Sequence, residues 1–358
     1  MNSFHIDGES IVTDEVEGDT FIVSSSPKSY EVVVDKRQVS LVFEEEYEEG
    51  DIVLIDKNVS LLYDVKSPDL YTIEAVEENK NINTVLNFVK FLNEKKFNKK
   101  NKIFVIGGGI TQDIGAFACS MFKRGVRWIL FPTTLLSMCD SCIGGKTGIN
   151  FLNTKNQLGL FSSPSKVIIN HNFLNTLDPR DLKSGLGEVL KLLALSSNAD
   201  LEFYDQVVEN GVVHNIQDYP ELIKRSLLIK KAVIERDEFE FNIRKSLNYG
   251  HTIGHAVEVL SKYEISHGQA VAVGMLLVNE LFSLNNEMLK KQCTDLIDSK
   301  KIKNINLDGL LDLIKKDKKT IGNMATFVVI RKPGVTEFVP TLIDSALMLS
   351  IKKIIDNL

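Results

Sequence analysis

The chain has 358 residues, enough for about two domains or one large one with ample core. Apolar residues make up 44% and charged residues 25%, which excludes a disordered, collagen-like or rod-like coiled-coil chain. Against 48 Asp and Glu there are 42 Lys and Arg, a formal charge of −6, so no global basic field holds a nucleic-acid backbone and any bound anion must be met by local cations.

The first 27 or so residues are of mixed polarity and fit an extra strand or a loose arm attached to the first domain. From there to about Asn170 short Val- and Ile-rich runs alternate with helical patterns. The runs Asp51 to Asp56 (DIVLID), Lys102 to Ile106 (KIFVI), Trp128 to Phe131 (WILF) and Lys166 to Asn170 (KVIIN) read as buried parallel strands. Between them, Asn83 to Leu92 carries Val85, Phe88, Val89 and Leu92 at helical spacing. The acidic run Glu44 to Glu49 and the lysines from Lys95 to Lys102 read as solvated faces. After Asn170 longer helical segments take over: Glu188 to Leu195, Tyr219 to Glu235, His251 to Leu260 and Gln269 to Leu281. The expected fold is α/β plus α, with a parallel-sheet domain over residues 1–170 and a mainly helical domain over 171–358, the site lying in a cleft between them. The four cysteines (Cys119, Cys139, Cys142, Cys293) are too few to staple the chain, no leader pattern opens it, and the longest apolar stretch, Ala270 to Val278, is about half a bilayer span. A reduced cytoplasmic location without a membrane segment is expected.

Three blocks carry chemistry. Directly after KIFVI comes Gly107-Gly108-Gly109-Ile110-Thr111-Gln112-Asp113, a glycine turn between a strand and a helix, which suits a pyrophosphate because the backbone can approach it and a helix N-terminus faces it. Asp56 with Asn58, and Glu77 with Lys80, are candidates for the ribose or adenine end. The second block is Phe131 to Leu136 (FPTTLL), Asp140 to Gly148 (DSCIGGKTG) and Lys155-Asn156. Its Gly-Gly-Lys-Thr is not a P-loop, since Asp140 stands where the first glycine of that motif belongs, yet it still suits a phosphate. Cys139 and Cys142 read as small packing residues rather than a redox pair. The third block gathers half of the six histidines: His251 and His255 lie one helical turn apart in RKSLNYGHTIGH, and His267 follows. Both of the first two could bind a metal, although the Glu of H-E-x-x-H is absent; alternatively one binds metal while its neighbour handles a proton or an anion. Glu188 and Lys191, at i and i+3 on one helix face, add a candidate ligand beside a cation, and one carboxylate with two histidines and an open position would make a catalytic zinc-type site.

Taken in order, GGGITQD, KRGVRW, PTTLL, DSCIGGKTGIN, KNQLG, SGLGEVLK, RKSLNYGHTIGHAVE and HGQAVAVGM resemble the 3-dehydroquinate synthase family of sugar phosphate cyclases, from about Asp51 to Lys319. The resemblance implies an NAD-binding α/β domain, a helical domain, and a divalent metal, zinc in the first instance with Co2+ as the alternative. It implies Glu188, His251 and His267 as metal ligands and His255 as a contact to the substrate phosphate. Gly108, Gly109, Ile110 and Asp113 would hold the NAD pyrophosphate region, completed by Asp56, Asn58, Glu77, Lys80, Thr133, Thr134, Lys155 and Thr176. Asp140, Lys146, Asn156, Lys191, Lys230, Glu240, Arg244 and Asn248 would line the substrate pocket. Arg124 resembles the arginine that reaches the phosphate in the neighbouring subunit of a homodimer, and Lys318 or Lys319 a distal phosphate-binding lysine.

The reaction so implied takes 3-deoxy-D-arabino-heptulosonate 7-phosphate through transient oxidation at C5, phosphate elimination, re-reduction and aldol closure to 3-dehydroquinate, with no net oxidation. Rival expectations are a cyclase of sedoheptulose 7-phosphate or glucose 6-phosphate, a metal- and NAD-dependent polyol dehydrogenase, and a non-catalytic binding module. Gln112 in GITQD and the Asn150-Phe151 pair resemble some other cyclases, whereas Lys230 and Arg244 match a receptor for the substrate carboxylate. Ser184 and Gln269 depart from the Asn and Glu usual in the family.

Overall fold

The computed structural model describes residues 3–26, 28–152, 154–316 and 322–358. The chain opens on a hairpin, β1 (Ser3–Ile6) and β2 (Glu9–Val12), that belongs to the same compact unit as residues 179–358, while residues 16–178 form the other unit.

In the unit of residues 16–178 the elements run β3 (Thr20–Val23), β4 (Tyr30–Val34), α1 (Val39–Glu46), β5 (Ile52–Asp56), α2 (Lys57–Leu62), β6 (Leu70–Ile73), α3 (Ile82–Glu94), β7 (Ile103–Gly107), α4 (Gly109–Met121), β8 (Trp128–Pro132), β9 (Lys146–Phe151), β10 (Thr154–Phe161) and β11 (Lys166–Ile169). Seven strands form one sheet in the order β3-β4-β11-β8-β7-β5-β6, parallel except for the antiparallel edge strand β3. All of β7 and β8 is buried, as is β5 up to Ile55, which explains why their sequences are unbroken apolar runs rather than alternating ones. Asn81 caps α3 by accepting from the amides of Asn83 and Thr84, and the helix buries Val85, Phe88 and Leu92. From β5 the chain crosses outward to β6, and from β7 it crosses the other way to β8, so the carboxyl ends of β5 and β7 flank the point where strand order reverses. Ligands of open α/β sheets bind there, and these two ends carry Asp56 and the Gly107-Gly108-Gly109 turn.

The acidic run before β5 does more than face solvent. Glu46 pairs with Lys166 (2.5 Å) and Glu48 with the buried Lys102 (2.8 Å), so these carboxylates neutralise lysines at the sheet.

The second unit contains α5 (Pro179–Ser196), α6 (Asn198–Val207), the short pair β12 (Val208–Glu209) and β13 (Val212–Val213), α7 (Tyr219–Ile234), α8 (His251–Leu260), α9 (His267–Leu281), α10 (Glu287–Leu296), α11 (Ser299–Lys303), α12 (Leu310–Lys316), β14 (Met324–Lys332), β15 (Val335–Leu342) and α13 (Ser345–Asp356). It is mainly helical, but it also holds a four-stranded sheet in the order β14-β15-β1-β2, in which β1 runs parallel to β15 with His5 opposite Val335. The units therefore divide after Asp178, not at 170, and the N-terminal arm sits with the second unit, not the first. Phe4, Ile6 and Ile11 explain the placement, because all three are completely buried. Among the described residues no helix is long and apolar enough to cross a membrane. All four cysteines are buried free thiols, those of Cys139 and Cys142 donating to the carbonyls of Leu136 (3.6 Å) and Met138 (3.4 Å).

Candidate active site

In the unit of residues 179–358 three helices meet at a cluster of ligating atoms. α5 supplies Glu188, α8 supplies His251 and His255, and the first residue of α9 is His267. The helices α5 and α9 touch through Gly187 and Gly268: a Cβ on Gly268 would stand 1.7 Å from the Ser184 carbonyl oxygen, so only glycine allows Glu188 this close to His267. Glu188 Oε1 lies 3.1 Å from His267 Nε2 and 3.5 Å from His251 Nε2. One ring nitrogen from each of His251, His255 and His267 falls within 4.8 Å of the others.

The opposite ring nitrogens are engaged elsewhere. His267 Nδ1 is 3.0 Å from Glu258 Oε2 and His251 Nδ1 is 3.1 Å from the Tyr249 carbonyl, the outer contacts that orient imidazole ligands toward a metal. Burial holds the His251 imidazole well below its usual range, helped by the charge of Lys191 and the neighbouring histidines. Burial acts the same way on His267, but the carboxylates of Glu188 and Glu258 outweigh it and raise that imidazole to about 10. The pocket thus favours positive charge at one end and a neutral nitrogen at the other. A mixed imidazole and carboxylate set of this kind fits a divalent ion such as zinc or cobalt.

Cations surround the cluster. Lys191 lies one turn beyond Glu188 and bonds its carboxylate, and Lys191, Lys230 on α7 and Arg244 are all buried. Arg244 and Asn248 lie on a helical turn, Ile243–Asn248, that packs on both α5 and α7. Asn248 donates to Glu240 Oε1 (2.9 Å), and the Arg244 guanidinium donates to the Glu238 carbonyl. Buried cations gathered in this way suit an anionic ligand.

The other unit assembles most of the expected cofactor residues. Gly108 precedes the first turn of α4, which carries Gly109, Ile110 and Asp113. A Cβ on Gly108 would press on Thr134 (2.8 Å), whereas one on Gly109 would meet nothing within 4 Å, leaving open space at the helix N-terminus that a pyrophosphate fits. Asp113 pairs with the buried Lys80 (2.5 Å) and accepts from Thr147 Oγ1 (3.0 Å) and the Gly148 amide (3.2 Å). Lys80 also donates to Asn156 Oδ1 (2.7 Å). Asn150 ties this network together, donating to Glu77 Oε1 (2.8 Å) and accepting from the Asn156 amide (2.9 Å), while Lys155 lies 3.9 Å from Glu77. Sequence reading assigned Asn150 no role at the site; its place in GKTGIN, ahead of KNQ, was the available signal.

Asp56 caps α2 through the Asn58 amide (2.7 Å), Thr133 is buried at the end of β8, and Thr176 shares a hydroxyl contact with Tyr63 (2.9 Å). Asp140 lies in a π-helical turn, Ser137–Ser141, and Lys146 is exposed at the start of β9. Arg124 is exposed and left-handed (φ 61°), following an equally unusual Lys123 (φ 48°). Lys318 and Lys319 lie outside the described residues.

A solved structure of 2-deoxy-scyllo-inosose synthase, complexed with carbaglucose-6-phosphate, NAD+ and Co2+, matches with a TM-score of 0.78 over 94% of this chain and 99% of that one, at 23% identity. The chain shares the fold of that synthase. The 3-dehydroquinate synthase N-terminal model matches residues 70–184 and the C-terminal model residues 185–320. The 3-dehydroquinate synthase of Acetivibrio thermocellus is 37% identical over 301 residues, 80% of this chain and 81% of that protein, and that of Pelagibacter ubique is 36% identical over 324 residues, 84% and 88%. The chain belongs to the 3-dehydroquinate synthase family.

Proposed function

We propose that this chain converts 3-deoxy-D-arabino-heptulosonate 7-phosphate to 3-dehydroquinate and phosphate. The observation that carries the reading is the Glu188, His251 and His267 cluster set among buried Lys191, Lys230 and Arg244, a metal cage beside a receptor for an acidic sugar phosphate. When bound, NAD supplies a reversible hydride acceptor and the divalent metal a Lewis acid for the substrate hydroxyls. Gly108, Gly109, Ile110 and Asp113 hold the cofactor's pyrophosphate region, with Asp56, Asn58, Glu77, Lys80, Thr133, Thr134, Lys155 and Thr176 around it.

Each unit then has its own work. Arg244 and Lys230 pair with the substrate carboxylate, a task for which the planar guanidinium is suited. His255, exposed on α8, meets the phosphate. Glu240 and Asn248, already bonded to each other, orient hydroxyl groups, while Asp140, Lys146, Asn156 and Lys191 complete the lining. The departing phosphate takes the C6 proton on its own oxygens, so the cations hold it without needing a separate base. Arg124, which makes no ion pair among the described residues, completes the phosphate site of a second copy in a homodimer. Buried free cysteines fit a reduced cytoplasm.

The test is phosphate release from the seven-carbon acid substrate against sedoheptulose 7-phosphate, with nicotinamide absorbance followed in parallel. The proposal expects release from the acid and no lasting NADH; preference for the sugar without a carboxylate would sink it, and stoichiometric NADH would mark a dehydrogenase. Arg244→Ala should cut kcat/KM for the acid on the order of 100-fold, more than for the sugar. Glu188→Ala should purify without metal, as read by elemental analysis.

A further inference from the structure

We propose that Gln112 is a positioning residue that locks the Asp140 turn onto the first turn of α4, so that one clamp sets a substrate-facing group against the cofactor-facing loop. The proposal rests on the roles given above to Asp140 and to residues 108–113.

Gln112 is 5% exposed, an unusual place for a carboxamide in a helix whose other inward residues are small or apolar. It meets Ser141 twice: Nε2 donates to the Ser141 carbonyl (2.7 Å), and Oε1 accepts from the Ser141 hydroxyl (2.9 Å). Ser141 closes the π-helical turn Ser137–Ser141, whose last carbonyls have no onward helix to pair with. Gln112 therefore caps a turn from a neighbouring helix. At the start of the same turn Ser137 bonds Thr134 (2.9 Å), and Thr134 lies against Gly108. One end of the turn is thus bonded to α4, and the other is bonded to Thr134, which lies against Gly108. Immediately beside the clamp stand Asp113 on one side and Asp140 on the other, and Asp113 faces away to Lys80 and Thr147. Shifting Ser141 must move Asp140, whereas Asp113 keeps its own anchors. Single π-turns recur at functional sites.

The test replaces Gln112 by Leu, which keeps the volume and removes both bonds, in the full-length protein loaded with NAD and metal. Expected are a kcat loss of about 10- to 100-fold, as for misplaced reacting groups, and an NAD dissociation constant by fluorescence titration within about 3-fold of wild type, because the glycine loop is untouched. Amide exchange over residues 137–142 should rise about 10-fold without ligands. Ser141→Ala keeps the carbonyl and should lose less, and Gln112→Leu with Ser141→Ala should be no worse than Gln112→Leu alone. Wild-type kcat in Gln112→Leu, an equal weakening of NAD, additive losses, or unchanged exchange would each overturn the clamp. If the wild-type protein does not turn over the seven-carbon acid, the assigned reaction fails, and exchange with NAD titration still decides the clamp.

Discussion

Asp237 shows how one side chain can shape a binding loop. Its carboxylate accepts from the backbone amides of Phe241 (2.8 Å), Asn242 (2.7 Å) and Arg244 (2.9 Å), bending the chain so that Glu240, Arg244 and Asn248 come to one place. Burial alone would raise its pKa, but the three amides and the Arg244 charge outweigh burial and hold it below the ordinary carboxylate value. A depressed folded pKa contributes stability at pH above the unfolded value of about 3.9, and that contribution is lost as pH falls through the folded pKa. Asp237→Asn should therefore be less stable than wild type by about 1–3 kcal/mol in urea titrations at neutral pH, with the gap closing below about pH 4. A gap independent of pH would show that charge plays no part. The sequence marks Arg244 and Asn248 through RKSLNYG, yet nothing in the run Arg236 to Phe241 tells which of its acids turns inward. Gln112 and Asn150 were equally hard to place, because their partners Ser141 and Glu77 are remote along the chain.

Helix contact sets the spacing of the proposed metal ligands. Gly187 and Gly268 bring α5 and α9 to backbone contact, and the Ser184 hydroxyl accepts from the Gly268 amide (3.1 Å), so the serine at this position caps the start of α9 beside His267. Gln269, the other departure, is held between the Ser266 hydroxyl (2.8 Å) and the Leu296 carbonyl (2.9 Å). Gly268→Ala should push the helices apart, cost about 1–3 kcal/mol or more, and lower bound metal measured by elemental analysis, while NAD titration of the other unit stays near wild type. Full metal content in that variant would refute the contact as the cage's spacer. The parallel strands β5, β7, β8 and β11 were legible because strands covered on both faces are written as continuous Val and Ile runs. Edge strands β3 and β6 are only partly buried and left no such run, and the β14-β15 pair passed unnoticed among helices.

At the scale of the molecule, the arm binds the helical unit to the chain's first residues. Asp14 bonds Lys231, which neighbours Lys230, and Arg236 donates to the Ser10 carbonyl (3.0 Å). Deleting residues 1–15 removes the buried side chains of Phe4, Ile6 and Ile11, each worth about 1.5–3 kcal/mol. The truncated protein should show the 179–358 unit melting first by hydrogen exchange, with residues 16–178 protected as before; simultaneous loss of both would show that the arm stabilises the whole chain. Nothing in the mixed polarity of the arm told which unit it would join, since its partner β15 lies near the far end of the chain. The same pairing bears on the order of folding. Residues 16–178 are contiguous and can close their sheet once released, whereas β1 precedes them in the chain and waits for Val335–Leu342, which follows them. The unit of residues 16–178 can thus close before the sheet that pairs β1 with β15 is complete.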